Sequence, residues 1–336
     1  MKIAIIGAGA IGGLVGARLA LAGEEITFVV RGANLAAIRD NGFKLIEHDG
    51  TEHIAKNVRA TSSYDEAGPQ DVVILALKAH QVDAVVEELP KLFGEHTTVI
   101  TMQNGIPFWY FQRHGGMHDG RTVSSVDPTG LLSKKIPAER IIGCVVYPAS
   151  VLVAPGIVQH TEGDRFPLGE LDGSVTPRIT ALSEIFVRAG FKAPVLDAIR
   201  SEIWLKLWGN LTFNPISALS HSTLVDICQY PLSRELAAAM MLEAQAVANK
   251  LDITFRVPLE KRIAGAEKVG KHKTSMLQDI EAGRDPEIDA LVGSVIELGA
   301  VTETPTPRLE TVFALVKLLA KNMADEGGRV QLKKVA

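Results

Sequence analysis

Lys206, Asn210 and Asn214 recur at i, i+4 and i+8 within the run SEIWLKLWGNLTFNP, so on a helix they form one polar stripe. The neighbouring Trp204, Leu205, Leu207, Trp208, Leu211 and Phe213 are apolar. A solvated face carries several charges, whereas one ammonium and two amides suit a cleft that orients a small anion or a carbonyl. A lysine placed there serves as a proton donor. Downstream lie HKTSMLQD and GRDPEID. Ser275 offers a neutral hydroxyl, to bind a carboxylate or to cap a helix. Glu287 stands in the first turn of an expected helix, where spacing alone assigns it, like Asp289, to dipole compensation. Asp279 is expected to pair with nearby backbone or with Arg284.

A second set of residues opens the chain. The apolar run Ile3 to Ile6 leads into Gly7-Ala8-Gly9-Ala10-Ile11-Gly12, a helical segment Leu14 to Ala22 follows, and Ile26 to Val30 is extended again. Strand, glycine turn, helix and strand form the context of a dinucleotide-binding fingerprint. Gly7 permits the tight turn, Gly9 lets a pyrophosphate approach the backbone, and Gly12 lets the helix lie close on the sheet. The helix N-terminus then faces the phosphates. At the end of the second strand, where an NAD enzyme carries Asp or Glu, the chain has Arg31. A guanidinium suits the 2′-phosphate of NADP; the alternative is a solvated arginine. Lys78 ends VVILALK, and Asn104 in MQNG follows the next strand. Both fall at carboxyl ends of strands, the edge where open α/β sheets bind ligands.

These elements belong to an α/β Rossmann-type N-terminal domain followed by an all-α C-terminal domain. Short β-branched runs at Lys2–Ile6, Glu25–Val30, Asp71–Leu75 and Thr98–Thr101 alternate with helical patterns such as Asn34–Asp40 and Gln81–Leu92, as in a doubly wound parallel sheet. Ile141–Tyr147, Gly156–Gln159, Arg165–Leu168 and Lys192–Val195 read as extended, and Pro177–Ala189 as helix. Beyond Leu196 nearly everything reads as helix, with Asp197 as a first cap and with Ser233–Leu251, Ile288–Thr302 and Arg308–Met323 as examples. The expected domains are therefore residues 1–196 for the nucleotide and 197–330 for substrate and catalysis. The polar end, Glu326–Ala336, reads as frayed. Pro107–Pro137 has the least pattern, and its cluster Phe108, Trp109, Tyr110 and Phe111 reads as a hydrophobic plug or subunit contact, with a substrate-specificity loop as the alternative.

Composition sets the bounds. The 336 residues are 46% hydrophobic and 22% charged, ordinary for a globular chain with two cores. A net charge of −4 gives no sign of a nucleic-acid or anionic-membrane partner, and no uncharged apolar run reaches spanning length. The two cysteines, Cys144 and Cys228, lack metal-type spacing and point to a reducing compartment, so no metal is expected. Lys2 and the apolar stretch ending at Gly23 also resemble a secretory signal peptide. Arg18 inside that stretch and the glycine spacing favour the fingerprint, which leaves a cytoplasmic protein as the expectation.

Over nearly its whole length the chain resembles the 2-dehydropantoate 2-reductase (ketopantoate reductase) family. The resemblance rests on GAGAIGG, Arg31, LALK at Lys78, QNG at Asn104, the K-x-x-x-N-x-x-x-N-P run from Lys206 to Pro215, and SMLQD with the later EID. It implies NADPH as hydride donor, a cleft between the domains, and Lys206 as proton donor to a keto oxygen. It further implies that Asn104, Asn210, Asn214 and Ser275 hold the substrate. Glu287 would contact the nicotinamide ribose or a substrate hydroxyl, and Ala149 would offer backbone to the cofactor. Two features depart from typical members: the stretch His221–Asp226 lacks a further substrate-binding Asn, and Pro107–Pro137 is long and aromatic. Both bear on substrate identity more than on reaction type.

Three functions compete on these residues: reduction of a small 2-oxo acid, 2-dehydropantoate by default, in pantothenate and coenzyme A synthesis; a related dehydrogenase of another hydroxy acid; and a non-catalytic NADPH sensor. Lys206 speaks against the last, since a pure binder needs no proton donor. A helical second domain offers surface for a homodimer, although no residue singles one out.

Overall fold

The computed structural model describes residues 1–333; the last part of the polar tail, 334–336, lies outside the described residues. The chain divides into two compact units. The first comprises Met1–Gln103, Pro107–Thr122 and Asp127–Ile199, and the second comprises Asn104–Ile106, Val123–Val126 and the chain from Arg200 onward.

The strands run β1 Lys2–Ile6, β2 Glu25–Val29, β3 Phe43–Ile46, β4 Glu52–Ala55, β5 Val58–Thr61, β6 Gln70–Leu75, β7 Phe93–Thr101, β8 Ile141–Cys144, β9 Ala149–Ala154, β10 Ile157–Glu162 and β11 Leu168–Glu170. One sheet has the order β11-β8-β7-β6-β1-β2-β5. It is parallel except at its β11 edge. Its central strands read as unbroken Val and Ile because both faces are covered: Ile3, Ala4, Ile5 and Ile6 are at most 1% exposed. β1 lies between β2 and β6 in the middle of this sheet. Among the described residues no helix is long and apolar enough to cross a membrane.

Several expectations give way here. A second sheet, β4-β3-β10-β9, has no counterpart in the expected pattern for β3 and β4. β3 and β4 are four-residue strands that pair antiparallel as a local hairpin, too short for a clear alternation, and β3 is joined to the rest of its sheet through β10, more than a hundred residues on. Phe43 of β3 stacks on Phe28 at 5.0 Å between ring centres and fills the space left by Gly13, whose Cβ would lie 2.5 Å from the Phe43 ring. The expected helix Gln81–Leu92 is instead a turn of helix, Ala79–Val82, and two 3-10 turns, Asp83–Val85 and Leu89–Leu92. Pro90 has no N–H to donate and disfavours a helical residue before it. Arg165 forms only an isolated bridge, to Lys192, and regular pairing begins at Leu168. Phe108, Trp109, Tyr110 and Phe111 are each no more than 5% exposed, and Trp109 donates to Thr101 Oγ1 at 2.8 Å, so this cluster is a plug within the first unit.

An ion-pair network fastens the glycine-loop helix, Ala10–Leu21, to the second sheet. Arg18 donates to Glu47 through Nε at 3.0 Å and Nη2 at 2.5 Å, and Nη2 also faces His160 Nδ1 at 3.1 Å. His160 Nε2 donates to the Gly163 carbonyl at 2.5 Å, while Nδ1 lies 3.1 Å from Glu47 Oε2. Ligand-type atoms of Glu47, His48 and His160 fall within 4.8 Å of one another, but Arg18 already occupies this cluster. Burial opposes ionisation of Glu47, yet the Arg18 guanidinium and His160 outweigh it and hold the carboxyl below its ordinary value. A depressed carboxyl stabilises the fold above its unfolded pKa, and that stability is lost as pH falls through the folded value. Glu47→Gln is therefore expected to cost about 2 kcal/mol at neutral pH. The gap in Tm between wild type and E47Q should narrow below pH ~4.3, the ordinary glutamate value. A gap that stays constant down to pH ~3 would contradict this.

The second unit is helical: Ile199–Ser220 (whose first residue closes the first unit), Leu224–Gln229, Pro231–Lys250, Leu259–Val269, Ser275–Glu281, Ser294–Val301 and Pro307–Asp325. Asp197 stays outside the first helix, which starts at Ile199. Trp208 anchors that helix by donating to the Met241 carbonyl at 2.7 Å and by stacking on Phe255 at 4.1 Å. The expected helix Ile288–Thr302 begins with a π-helical turn, Asp289–Gly293, before the regular Ser294–Val301. Turns of this kind recur at functional sites.

Candidate functional site

In the first unit the glycine loop has the geometry an anion needs. Gly7 has φ +96°, which L side chains rarely adopt. A Cβ on Gly12 would lie 2.0 Å from the Gly7 carbonyl oxygen, so that position has no room for a side chain. Gly9 differs: a Cβ there would meet nothing within 4 Å, so the backbone faces open space where a diphosphate would come. Helix Ala10–Leu21 has Gly9 as its N-cap, no side chain capping it and no acidic residue in its first turn. Its first regular bond is Gly13 N–H to Gly9 O at 2.8 Å, which leaves the amides of Ala10, Ile11 and Gly12 without helical acceptors. The cradle therefore fits a dinucleotide diphosphate.

Two side chains that the sequence does not single out hold this loop. Asn34 donates to Ala8 O at 3.3 Å and accepts from Gly156 N at 3.0 Å. Ser150 donates to Ala10 O at 2.8 Å, which brings its neighbour Ala149, at the start of β9, to the loop. Arg31 is exposed and immediately precedes the helix Gly32–Asn41; among the described residues no ion pair engages it. Lys78 is half-buried just past β6. The turn before it is held by Gln103, whose Nε2 donates to Leu75 O at 2.8 Å and Leu77 O at 3.0 Å.

In the second unit the polar residues gather from distant parts of the chain. Lys206 Nζ donates to Asn104 Oδ1 at 2.6 Å, and Asn104 Nδ2 donates to Glu287 Oε2 at 3.4 Å. One amide thus links an ammonium and a carboxylate, with all three residues half-buried. Asn214, 6% exposed, donates to Ser275 Oγ at 3.4 Å, while Ser275 is exposed at the start of its helix. Asn210 shares their helix and is half-buried. Asp279 pairs with Arg284 Nε at 2.9 Å, the structural partnership expected of it.

What holds Asn104 in place is Gly105. It has φ +91°, and a Cβ on it would lie 2.1 Å from the Ala290 carbonyl oxygen. Ile106 N–H donates to that same oxygen at 3.1 Å, and Ser294 Oγ donates to it at 2.7 Å. The strand-end turn is thus pressed onto the π-helical turn that follows Glu287. The adjacent piece 123–126 is secured through Glu297, which accepts from Ser124 N, Ser125 N and Ser125 Oγ.

Chemically, the arrangement offers an ammonium with an amide and a carboxylate behind it, and further along the same helix the amides of Asn210 and Asn214, the second bonded to the Ser275 hydroxyl of another helix. That is a device for polarising and protonating an oxygen while fixing a small polar molecule.

Comparison with known proteins extends this. Residues 3–110 match the family model described as Ketopantoate reductase PanE/ApbA, and residues 198–320 match its C-terminal counterpart. A 2-dehydropantoate 2-reductase of Mesorhizobium japonicum is 53% identical over 321 residues, 95% of this chain and 98% of its own. The crystal structure of a Ralstonia solanacearum protein provisionally named a ketopantoate reductase superposes with TM-score 0.91 at 41% identity, covering 96% of this chain and 98% of that one. D-mandelate dehydrogenase, solved with NADH and anilino(oxo)acetate, superposes with TM-score 0.82 over 96% of this chain and 100% of its own, and at 24% identity shares the fold alone.

Proposed function

Because the chain belongs to the ketopantoate reductase family, we propose that it reduces 2-dehydropantoate to pantoate with NADPH, a step of pantothenate and coenzyme A synthesis. The observation that carries this reading is the bonded series Lys206–Asn104–Glu287. When bound, NADPH supplies a hydride to the C2 carbonyl carbon of the 2-oxo acid. Gly7 to Gly12 receive its diphosphate, with Ala149, Lys78 and Glu287 as further contacts. As the carbonyl bond becomes single, negative charge grows on its oxygen. Lys206 stabilises that charge and transfers a proton to the oxygen, giving the 2-hydroxy acid; the neutral amine regains its proton from solvent. Asn104 orients the ammonium by accepting one of its N–H groups. Asn210, Asn214 and Ser275 fix the substrate so that its carbonyl is presented in one orientation.

Arg31 selects the cofactor. Its exposed guanidinium, placed after β2, suits a 2′-phosphate that NADH lacks. Arg31→Ala should raise the Kd for NADPH about tenfold or more, the size of a lost charge-assisted hydrogen bond, and change that for NADH by less than about twofold. Equal losses for both cofactors, measured by fluorescence titration, would remove the 2′-phosphate role.

The direct test is NADPH oxidation by the purified protein with a panel of 2-oxo acids that contains 2-dehydropantoate and an aryl 2-oxo acid. Preference for 2-dehydropantoate supports the reading. Turnover of the aryl acid alone keeps the mechanism and changes the substrate, and no turnover of any member with NADPH still bound leaves two readings, a substrate outside the panel or a sensor.

A further inference from the structure

Which way the amides of the glycine loop point depends on how its peptide planes are turned, and glycine does little to fix them. Gly7 and Gly9 lack the Cβ that restricts rotation, so the planes beside them must be held by other groups. Two planes of this loop carry a side-chain bond on their carbonyl side. Asn34 Nδ2 donates to Ala8 O at 3.3 Å, and Ser150 Oγ donates to Ala10 O at 2.8 Å. No peptide bond among the described residues is cis, so in each plane the N–H of the next residue points opposite to the carbonyl. The bond to Ala8 O therefore directs Gly9 N–H away from Asn34, and the bond to Ala10 O directs Ile11 N–H away from Ser150. Among the described residues Gly9 N–H has no acceptor, and Ile11 N–H is one of the first amides of its helix, which lack a helical acceptor. The two held planes enclose the Gly9–Ala10 peptide between them.

Both clamps are braced within the first unit. Asn34 Oδ1 accepts from Gly156 N at 3.0 Å, in the turn between β9 and β10, and Gly156 O accepts from Lys44 N of β3 at 2.8 Å. These partners fix which way the Asn34 amide points, since a carbonyl can pair only with Nδ2 and an N–H only with Oδ1. A Cβ on Gly156 would lie 3.2 Å from that of Ala37, so the turn sits directly on the helix Gly32–Asn41 that carries Asn34. Ser150 stands opposite His160 across β9 and β10, and His160 belongs to the Arg18–Glu47 network that fastens the same glycine-loop helix.

We propose that Asn34 and Ser150 are positioning residues for the dinucleotide, holding Gly9 N–H and Ile11 N–H in the direction a diphosphate requires before one binds. This rests on the reading of the glycine loop as a dinucleotide cradle. The two side chains act through the backbone. Donors set in advance need no ordering when the ligand arrives, so the clamps raise affinity without adding a contact. Their effect falls on the diphosphate, which NADPH and NADH share, whereas Arg31 acts on the 2′-phosphate that only NADPH carries.

The test is the Kd of the purified protein for NADPH and for NADH, by fluorescence titration. Asn34→Leu is close in size and uncharged, so it removes the clamp without repelling a diphosphate. Ser150→Ala removes the hydroxyl, and Ser150→Thr keeps it. N34L and S150A should each bind both cofactors about tenfold more weakly, by the same factor for the two, as expected when one donor to an anion is misaligned. S150T should bind both within about twofold of wild type, which a merely structural need for a small residue at position 150 would not produce. Unchanged affinity in N34L or in S150A overturns the proposal. A loss in N34L confined to NADPH also overturns it, because Asn34 would then act on the Arg31 helix and not on the diphosphate loop. So does an equal loss in S150T and S150A. In each of these cases a wild type that binds both cofactors leaves the cradle reading standing, whereas a wild type that binds neither overturns that reading as well.

Discussion

Replacing Lys206 by alanine is expected to lower kcat by about three orders of magnitude while NADPH affinity stays within about twofold of wild type. The size follows from two losses at once. Alanine removes the charge that meets the developing oxyanion, and removal of one such donor alone costs about a hundredfold to a thousandfold. It also removes the proton donor, and general acid catalysis contributes about a hundredfold to ten-thousandfold. The two are not independent, so the total is less than their product. Asn104 accepts from Lys206 at 2.6 Å, so the variant also leaves that amide oxygen without its donor. Lys206→Arg separates the contributions. Arginine keeps the charge but does not give up a proton at ordinary pH, so K206R should recover the electrostatic part only. Single-turnover kinetics of both variants decide the matter: K206A retaining a tenth or more of wild-type kcat would remove Lys206 from the chemistry.

The parts of this site that were legible in the sequence are those set by short-range spacing. The glycine loop declares itself because the strand, turn and helix it joins are consecutive, and the Lys206–Asn210–Asn214 stripe because a helix repeats every 3.6 residues. Asn104 was singled out by its place after a strand, but its bonds to Lys206 and Glu287 span 102 and 183 residues, and no local pattern encodes such a distance. Glu287 shows the limit most plainly. Its spacing suggests dipole compensation, and the resemblance to the reductase family, rather than periodicity, gave it a role. The fold divides the same way. β1, β2, β6 and β7 are neighbours in a parallel sheet and read as such, whereas β3 and β4 form a hairpin of four-residue strands, too short for the pattern to show, and reach the rest of their sheet only through β10. The expected helix over Gln81–Leu92 is already interrupted after Val82, and Pro90 accounts only for the last break, where it opens the turn Leu89–Leu92.

The largest effect away from a chemical group is expected at Gly105. In the sequence Gln103-Asn104-Gly105 reads as a turn that Gly105 supports. The structure makes it a fixed point between two elements, with φ +91° and only 2.1 Å between a would-be Cβ and the Ala290 carbonyl oxygen. The obstacle is backbone, held by Ile106 N–H and Ser294 Oγ, so it cannot swing aside as a side chain would. Gly105→Ala therefore adds the cost of an unfavourable φ, about 1–3 kcal/mol, to an overpacking cost of similar size. Relief comes only by lifting the turn off the π-helical segment, which moves Asn104 away from Lys206 and Glu287. A displacement of about 1 Å at a positioning residue costs on the order of a hundredfold in rate. Gly270→Ala is the control, since Gly270 has φ +81° in the same unit but nothing within 4 Å of a Cβ. It should lose only the conformational part and keep wild-type kcat. Urea unfolding and initial rates on both variants separate the two costs. If G105A matches G270A in both stability and kcat, the contact with Ala290 does not position Asn104.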